Sequence, residues 1–301
     1  MSTAATEQLH NQAEGLDARP LHEVAEILAE AQQEASGAAR AATDPICTGA
    51  TAMAQAIRAG GTLHYAAAGS SGLMAAADAL ELGGTFSIPA KQLRIHMAGG
   101  MPTGVEMPGG TEDETADLER ALSSIGPNDV LIGVSASGTT PYTVAGAKRA
   151  KAQGACVIGI ANNPNSALLN IADHAILLPT PPEVVSGSTR MGAGTAQKIA
   201  LNMLSTLMAI DLGHVHDGMM INLRADNIKL RIRARQIVTR ITGADEDTAT
   251  AAIEAANGNV KSAILIAAGA SDLADANARL ETTGGKLRPA LLSLNTQEKQ
   301  Q

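Results

Sequence analysis

The chain alternates between two hydrophobic patterns from about residue 20 to residue 210. In the first pattern, apolar residues recur every three or four positions with charged or small residues between them, which is typical of an amphipathic helix. This spacing predicts helices over Leu21–Glu34 and Thr48–Ala59. It also predicts a long, mostly apolar helix over Ala193–Ile210, whose apolar surface is wider than one sheet face would cover.

The second pattern consists of short runs that are apolar at nearly every position. They predict five strands: Leu63–Ala67, Leu93–Met97, Val130–Ser135, Ala155–Ala161 and His174–Leu178. Continuous rather than alternating apolar runs are typical of strands covered on both faces of a parallel sheet. Helical segments separate most of the runs, so we expect an α/β fold, a three-layer αβα sandwich around a five-stranded parallel sheet.

The pattern changes near Arg231, where glycines begin to interrupt short helical segments. We therefore predict a main domain with N-terminal helices at 16–230 and a small C-terminal helical module at 231–294. Within the module, Ala244–Ala270 resembles the ubiquitin-associated type, and we expect it to pack against the main domain rather than bind a partner. We also predict a polar tail at 295–301.

Composition narrows the classes of function. The 301 residues carry a net charge of −8 and include two tyrosines, one phenylalanine and no tryptophan, so neither a basic surface nor stacking rings favour nucleic acid. No apolar run approaches the roughly 18 residues of a membrane span. The polar N-terminus lacks a signal-peptide core, and Cys47 and Cys156 are isolated. These features favour the cytoplasm, with no membrane and no metal site.

Two of the predicted strands run into turns rich in hydroxyls and glycine. Gly-Ser-Ser-Gly at 69–72 follows the first strand, and Ser-Ala-Ser-Gly-Thr-Thr-Pro-Tyr at 135–142 follows the third. Glycine lets the backbone approach a ligand closely, and the helix start that follows offers unpaired N–H groups to an anion. One such turn is usually only a helix cap, but two copies after buried strands favour a phosphate pocket.

Three carboxylates are candidates for chemistry. Glu81 lies among small and apolar neighbours, where poor solvation would make it a better base near neutral pH; the alternative is an exposed glutamate. Glu112, by composition alone, belongs to a solvated loop or to a first helical turn. Glu183 opens a loop that ends at Arg190 and that contains three hydroxyls, a set able to recognise a polyol and an anion. The alternative for this loop is a cap on the helix that follows.

The order of these segments resembles the N-acetylmuramic acid 6-phosphate etherase family of the sugar isomerase (SIS) domain superfamily, over about residues 16–291. The matching segments are Gly69–Gly72, Asp78–Glu81, Ala98–Gly100, Glu112-Asp113, Ser135–Tyr142, Asn163-Pro164, Pro182–Arg190 and Ala193–Lys198. Two segments, Gly187–Met191 and Asn202–Thr206, are specific to the etherases and to their glucokinase-regulator relatives.

The resemblance implies a lyase of peptidoglycan recycling that needs no cofactor. Such an enzyme removes the C2 proton of a phosphorylated amino sugar, expels lactate from C3 and adds water. The resemblance also implies a homodimer in which the loop at 188–190 and the 193–210 helix lie near the two-fold axis. By matching position it implies catalytic roles for Glu81 and Glu112, phosphate binding by Ser70, Ser71, Ser135, Ser137 and Thr140, and substrate binding by Glu183, Ser188 and Arg190.

The chain departs from the family pattern at four places. Leu73 and Thr139 stand where the family has arginines, Gly192 stands where it has a lysine, and Leu82–Gly84 replaces Cys-Pro-Pro. Fewer guanidinium groups weaken recognition of an anionic substrate. Two alternatives therefore stay open: an aldose–ketose isomerase, which expels no lactate, and a non-catalytic sugar-phosphate sensor, which binds without turnover.

Overall fold

A computed structural model describes residues 4–107, 109–223 and 228–297, and it contains a five-stranded parallel sheet flanked by helices. The strands are β1 (Leu63–Ala67), β2 (Leu93–Met97), β3 (Val130–Ser135), β4 (Cys156–Ala161) and β5 (His174–Leu177). They pair in the order β2-β1-β3-β4-β5, each with its neighbours in parallel. The predicted fold class and all five strands are confirmed; β4 and β5 are each one residue shorter than predicted.

Helices connect the strands and cover the sheet. They are α1 (Leu21–Ser36), α2 (Ala38–Ala41), α3 (Thr43–Arg58), α4 (Gly69–Phe86), α5 (Ala116–Ala121), α6 (Pro141–Ala152), α7 (Ala167–Ile171) and α8 (Gly192–Asp211). The predicted start of α3 at Thr48 is wrong, because the helix begins five residues earlier. Pro45 lies in its first turn, where the missing N–H of proline sacrifices no hydrogen bond.

Glycines in the central strands allow the helices to approach the sheet closely. Gly133 on β3 and Gly159 on β4 are partners in register. A Cβ atom added at Gly159 would lie only 2.9 Å from the Cβ of Ala172 and 3.1 Å from the carbonyl oxygen of Leu168. A side chain at this position would therefore push α7 away from β4.

The long helix α8 is covered by its own chain. Of its large apolar side chains only Ile210 is exposed, with 48% of its surface accessible. Most of the wide apolar surface predicted for this helix is therefore buried or half-buried in the single chain. The homodimer inferred partly from that surface stays a prediction.

The described residues of the C-terminal part form a short hairpin and five helices. They are β6 (Val215–His216), β7 (Met219–Met220), α9 (Ile228–Thr242), α10 (Glu246–Ala255), α11 (Val260–Ala267), α12 (Leu273–Thr282) and α13 (Leu287–Gln297). The helices share one buried core, in which Val238 and Ile264 are fully inaccessible. Asp245, Asn259 and Asp272 each cap a helix by accepting a backbone N–H, which explains why such short helices form.

The described chain divides into two compact units. One comprises the residues up to Leu80 together with Lys91–Leu207, and the other comprises Glu81–Ala90 together with the residues from Met208 onward. The domain limits predicted at 16–230 and 231–294 stay predictions. Of the predicted tail, 295–297 belong to α13 and 298–301 lie outside the described residues. Within the described part, none of the helices has the length and apolar character that crossing a bilayer requires.

Candidate active site

The sheet order places the two hydroxyl-rich turns at one point. From β1 the chain proceeds to β2 on one side, and from the adjacent β3 it proceeds to β4 on the other side. In open parallel sheets the crossovers diverge at such a switch point and leave a crevice beyond the carboxyl ends of the strands, where ligands bind. The turn at 69–72 follows β1, and the turn at 135–140 follows β3. Topology therefore brings together two segments that are more than 60 residues apart.

The first turn forms the beginning of α4. Gly69 has a φ of +53°, in the left-handed region that favours glycine. Ser70 is half-buried and Ser71 is 8% exposed. The first N–H groups of a helix have no carbonyl partner within it, and they carry the positive end of the helix dipole. This turn therefore provides backbone donors and two hydroxyls for an anion.

The second turn is held by hydrogen bonds among its own hydroxyls. Ser135 Oγ lies 2.9 Å from Thr140 Oγ1 and 3.3 Å from Ser137 Oγ, and it accepts the backbone N–H of Gly138 at 3.0 Å. Gly138 has a φ of +69°, and a Cβ atom there would lie 2.1 Å from Ser166 Oγ. The structure thus brings together three of the predicted phosphate-binding hydroxyls and shows why glycine is required between them.

Glu112 joins the two turns. Its carbonyl oxygen accepts the N–H of Tyr142 at 2.9 Å, in the first turn of α6. Its carboxylate lies at the start of α4, where Oε1 would be 3.2 Å from a Cβ atom added at Gly69. The side chain is exposed and therefore accessible to a ligand. Composition alone indicates a solvated loop or a first helical turn for this residue, whereas the structure places its carboxylate beside the predicted phosphate pocket.

Glu81 lies further along α4, and its side chain is exposed to solvent in the single chain. Its neighbour Leu80 is also exposed, by 67%. Of the two alternatives that the local sequence leaves open, the single chain therefore shows the exposed glutamate. The catalytic role of Glu81 stays a prediction that rests on the family resemblance.

Glu183 caps the N-terminus of α8. The residue is 5% exposed, and its Oε2 and Oε1 accept the N–H groups of Gly192 and Ala193, both at 2.9 Å. A buried carboxylate in this position satisfies two helix donors and interacts favourably with the helix dipole. The structure thus shows the helix-capping role that the sequence left as the alternative, and a substrate contact stays a prediction.

The loop between Glu183 and α8 carries the other two candidates. Ser188 is half-buried and Arg190 is exposed. In the part of the chain that the structure describes, Arg190 forms no ion pair, and neither side chain is hydrogen-bonded to the two hydroxyl-rich turns. The guanidinium is therefore available to an anion. The helix itself reaches the second turn through Asn162, which accepts from Gln197 Nε2 at 3.0 Å and donates its N–H to Ala136 O at 3.0 Å.

One polar cluster escaped the sequence analysis. Asp78 on α4 is 6% exposed; its Oδ1 accepts from Asn202 Nδ2 and Ser205 Oγ, both at 2.9 Å, and its Oδ2 accepts from Tyr65 OH at 3.2 Å. Burial, and then the charge of Asp78, raises the pKa of the Tyr65 phenol well above its usual value. Asp78, Asn202 and Ser205 appear in the segments that carry the resemblance. Asp78 is more than 120 residues away from Asn202 and Ser205 in the sequence, so no local sequence pattern predicts that they are in contact.

Comparison with known proteins agrees with this geometry. The family model for the SIS domain matches residues 107–207, which include the second turn. The part of the chain that contains β3, β4 and β5 therefore matches a SIS domain.

Relatives over nearly the full length narrow this class. The chain is 42% identical over 288 residues to an N-acetylmuramic acid 6-phosphate etherase of Deinococcus radiodurans, covering 95% of this chain and 94% of that one. It is 38% identical to the etherase of Streptomyces avermitilis, over 97% of this chain and 94% of the relative. The etherase of Mycolicibacterium smegmatis is 36% identical, and the match covers 97% of this chain and 98% of the relative. The chain belongs to the N-acetylmuramic acid 6-phosphate etherase family, as its motifs indicated.

Proposed function

We propose that this protein is a carbon–oxygen lyase acting on N-acetylmuramic acid 6-phosphate or a related 3-O-substituted sugar phosphate. A base removes the C2 proton of the open-chain sugar, and the electron pair forms a C2–C3 double bond as the C3–O bond to lactate breaks. The departing lactate takes up a proton. Water then adds a hydroxyl to C3 and a proton to C2, which yields N-acetylglucosamine 6-phosphate.

The observation that carries this proposal is the placement of Glu112 between two hydroxyl-rich turns at the switch point of the sheet. Ser70, Ser71, Ser135, Ser137 and Thr140 hold the phosphate, together with the N–H groups at the start of α4. A carboxylate beside a phosphate pocket lies within reach of a sugar bound there. Backbone donors and hydroxyls bind the phosphate without a lysine or arginine in either turn.

Two carboxylates divide the proton transfers in this proposal. Glu81 removes the C2 proton, and Glu112 supplies the proton to lactate and activates the water that replaces it. Arg190 holds the lactyl carboxylate, which is the second anionic group of the substrate. Glu183 supports the site by fixing the start of α8.

The departures from the family pattern bear on substrate choice. Thr139 is exposed at the second turn, so an arginine in its place would add a guanidinium there. At Gly192 a Cβ atom would lie 3.2 Å from Glu183 Oε2, so a lysine there would begin beside the helix cap. Because this chain lacks both cations, we include related sugar phosphates with a weaker anionic substituent at C3 among its substrates.

We also propose the cytoplasm as the site of this reaction. The two cysteines are unpaired, with Cys47 exposed and Cys156 partly buried. Free thiols of this kind are usual where the surroundings keep cysteine reduced. Secretion with a disulfide between the two would contradict the proposal.

The reaction itself is the first test. We expect incubation with N-acetylmuramic acid 6-phosphate in deuterated water to release lactate and to place one deuterium at C2 of the product. In ¹⁸O-labelled water the C3 hydroxyl should carry the label. Deuterium at C2 with no lactate would instead indicate an isomerase, and tight binding with neither change would indicate a sensor.

Two substitutions separate chemistry from binding. Glu81→Gln should lower kcat by at least about 1,000-fold while leaving phosphosugar affinity nearly unchanged, because the base is lost and the phosphate is held elsewhere. Ser137→Ala is the matched control: we expect KM to rise about tenfold with little loss of kcat, because one hydrogen bond to a charged group is removed. Near-normal turnover by Glu81→Gln would exclude Glu81 as the base.

A further inference from the structure

Asp78 connects the three elements that carry the proposed site. Its carboxylate binds Tyr65 of β1 and both Asn202 and Ser205 of α8, while Asp78 itself belongs to α4. β1 runs into the first hydroxyl-rich turn, α4 begins with that turn, and α8 begins at the Glu183 cap. The side chain of Asp78 therefore connects α4, which begins with the first turn, to the middle of α8.

The position of Asp78 along α4 is suited to orienting both ends of the site. Ser71 lies seven residues earlier, which is two helical turns, so both side chains occupy one face, and both are nearly inaccessible to solvent. Glu81 lies three residues later, a little less than one turn. Any rotation of α4 about its axis therefore moves the Ser70–Ser71 hydroxyls and Glu81 together.

A buried carboxylate resists such rotation. Burial of a charged group is costly unless hydrogen bonds replace its hydration, so each of the donors facing Asp78 holds it in place. We propose that Asp78 is a positioning residue for the lyase reaction, which fixes α4 in the rotation that directs Ser70 and Ser71 to the phosphate and Glu81 to the sugar. This inference rests on the proposed function, and it adds to that function a residue that touches no substrate.

Two substitutions of Asp78 distinguish a role in positioning α4 from a role in packing alone. In Asp78→Asn the amide oxygen still accepts from Asn202 and Ser205, and the amide NH₂ can donate to the oxygen of Tyr65. The geometry of the cluster is then retained without the charge. In Asp78→Ala all three donors lose their acceptor, so these hydrogen bonds no longer hold the helix in a single rotation.

Kinetics of the folded variants provide the main test. We expect Asp78→Ala to lower kcat by about 10- to 100-fold, because small displacements of a catalytic group are costly, and Asp78→Asn to remain within about threefold of the wild type. Ile176→Ala is the matched control, since Ile176 is fully buried on the edge strand β5, with β3 and β4 between it and β1. This control should lower Tm and leave kcat within about threefold.

A second measurement does not depend on activity. We expect Asp78→Ala to accelerate amide hydrogen exchange in the first turn of α4 and in the middle of α8, and Ile176→Ala to leave both regions unchanged. An Asp78→Ala variant with near-normal kcat and unchanged exchange would overturn the inference, as would equal impairment by Asn and Ala. An inactive wild-type protein whose Asp78→Ala variant shows the faster exchange would refute the proposed function while keeping the positioning role.

Discussion

Glu183 illustrates how a single carboxylate can stabilise the framework of a site. Both of its oxygens accept N–H groups at the start of α8, and the residue is nearly inaccessible to solvent. A carboxylate at a helix N-terminus both satisfies orphan donors and complements the helix dipole. The loop that carries Ser188 and Arg190 lies between this residue and the helix it caps, so the cap also holds both ends of the loop.

We therefore expect Glu183→Ala to lower the free energy of unfolding by about 1–2 kcal/mol, because two helix donors lose their acceptor. Urea denaturation followed by circular dichroism measures the change. Arg190→Ala, in the same loop but exposed, should stay within about 0.5 kcal/mol of the wild type. Unchanged stability of Glu183→Ala combined with a raised KM would show that Glu183 mainly contacts substrate.

At the scale of elements, the pair β1 and β2 contains an unusual contact between two histidines. The register pairs His64 with Arg94 and Ala66 with His96, so both imidazoles and the guanidinium face the same side of the sheet. His64 Nδ1 lies 3.0 Å from His96 Nε2, and the rings are parallel to within 3°. Burial lowers the pKa of both imidazoles, that of His96 to about 4, and the adjacent Arg94 lowers both further, while Asp129 opposes the shift at His64.

This contact predicts a loss of stability in mild acid. Because the pKa of His96 is lower in the folded state than the usual 6.5, the unfolded chain binds a proton first, and stability falls as the pH drops from about 6.5 towards 4. We expect His96→Gln to reduce this fall by about 2 kcal/mol, measured as the free energy of unfolding between pH 7 and pH 4.5. His22→Gln, at an exposed position on α1, is the control. Identical pH profiles for wild type and His96→Gln would contradict the assignment.

Elements were also predicted more successfully than contacts. β1 and β3 are buried at every position, so each appears in the sequence as a nearly continuous apolar run, and both turns at their ends are encoded locally. The early start of α3 was not predicted, and it places Pro45 in the first turn, where proline is tolerated. The partners of Asp78 on α8 lie more than 120 residues away in the sequence, and no local pattern reveals them.

At the scale of the whole molecule, several large apolar side chains remain exposed around elements that carry the proposed site. They are Leu80 on α4 at 67%, Val185 in the loop before α8 at 50%, and Ile210 on α8 at 48%. Burial of apolar side chains of this size against a partner favours association. The assembly we propose is an isologous homodimer in which Arg190 acts across the interface.

Light scattering at low micromolar concentration should give the mass of a dimer, and a fully active monomer would contradict this assembly.

Mixing Glu81→Gln subunits with Arg190→Ala subunits tests the shared site. If Arg190 serves the partner's pocket, each mixed dimer contains one intact site, so roughly a quarter of wild-type activity should return after random exchange. Each variant alone is the control, and no recovery would mean that each pocket is built from one chain.

The aromatic content of the chain gives the protein an optical property of its own. It contains two tyrosines and no tryptophan. One phenol, that of Tyr65, is bound to Asp78, and Tyr142 donates its N–H to Glu112 at the start of α6. Nearly all absorbance at 280 nm and all tyrosine fluorescence therefore originate beside the two turns. A difference spectrum recorded while a phosphosugar is added would report on this region without any label, and the Tyr142→Phe variant would leave the buried Tyr65 as the sole chromophore.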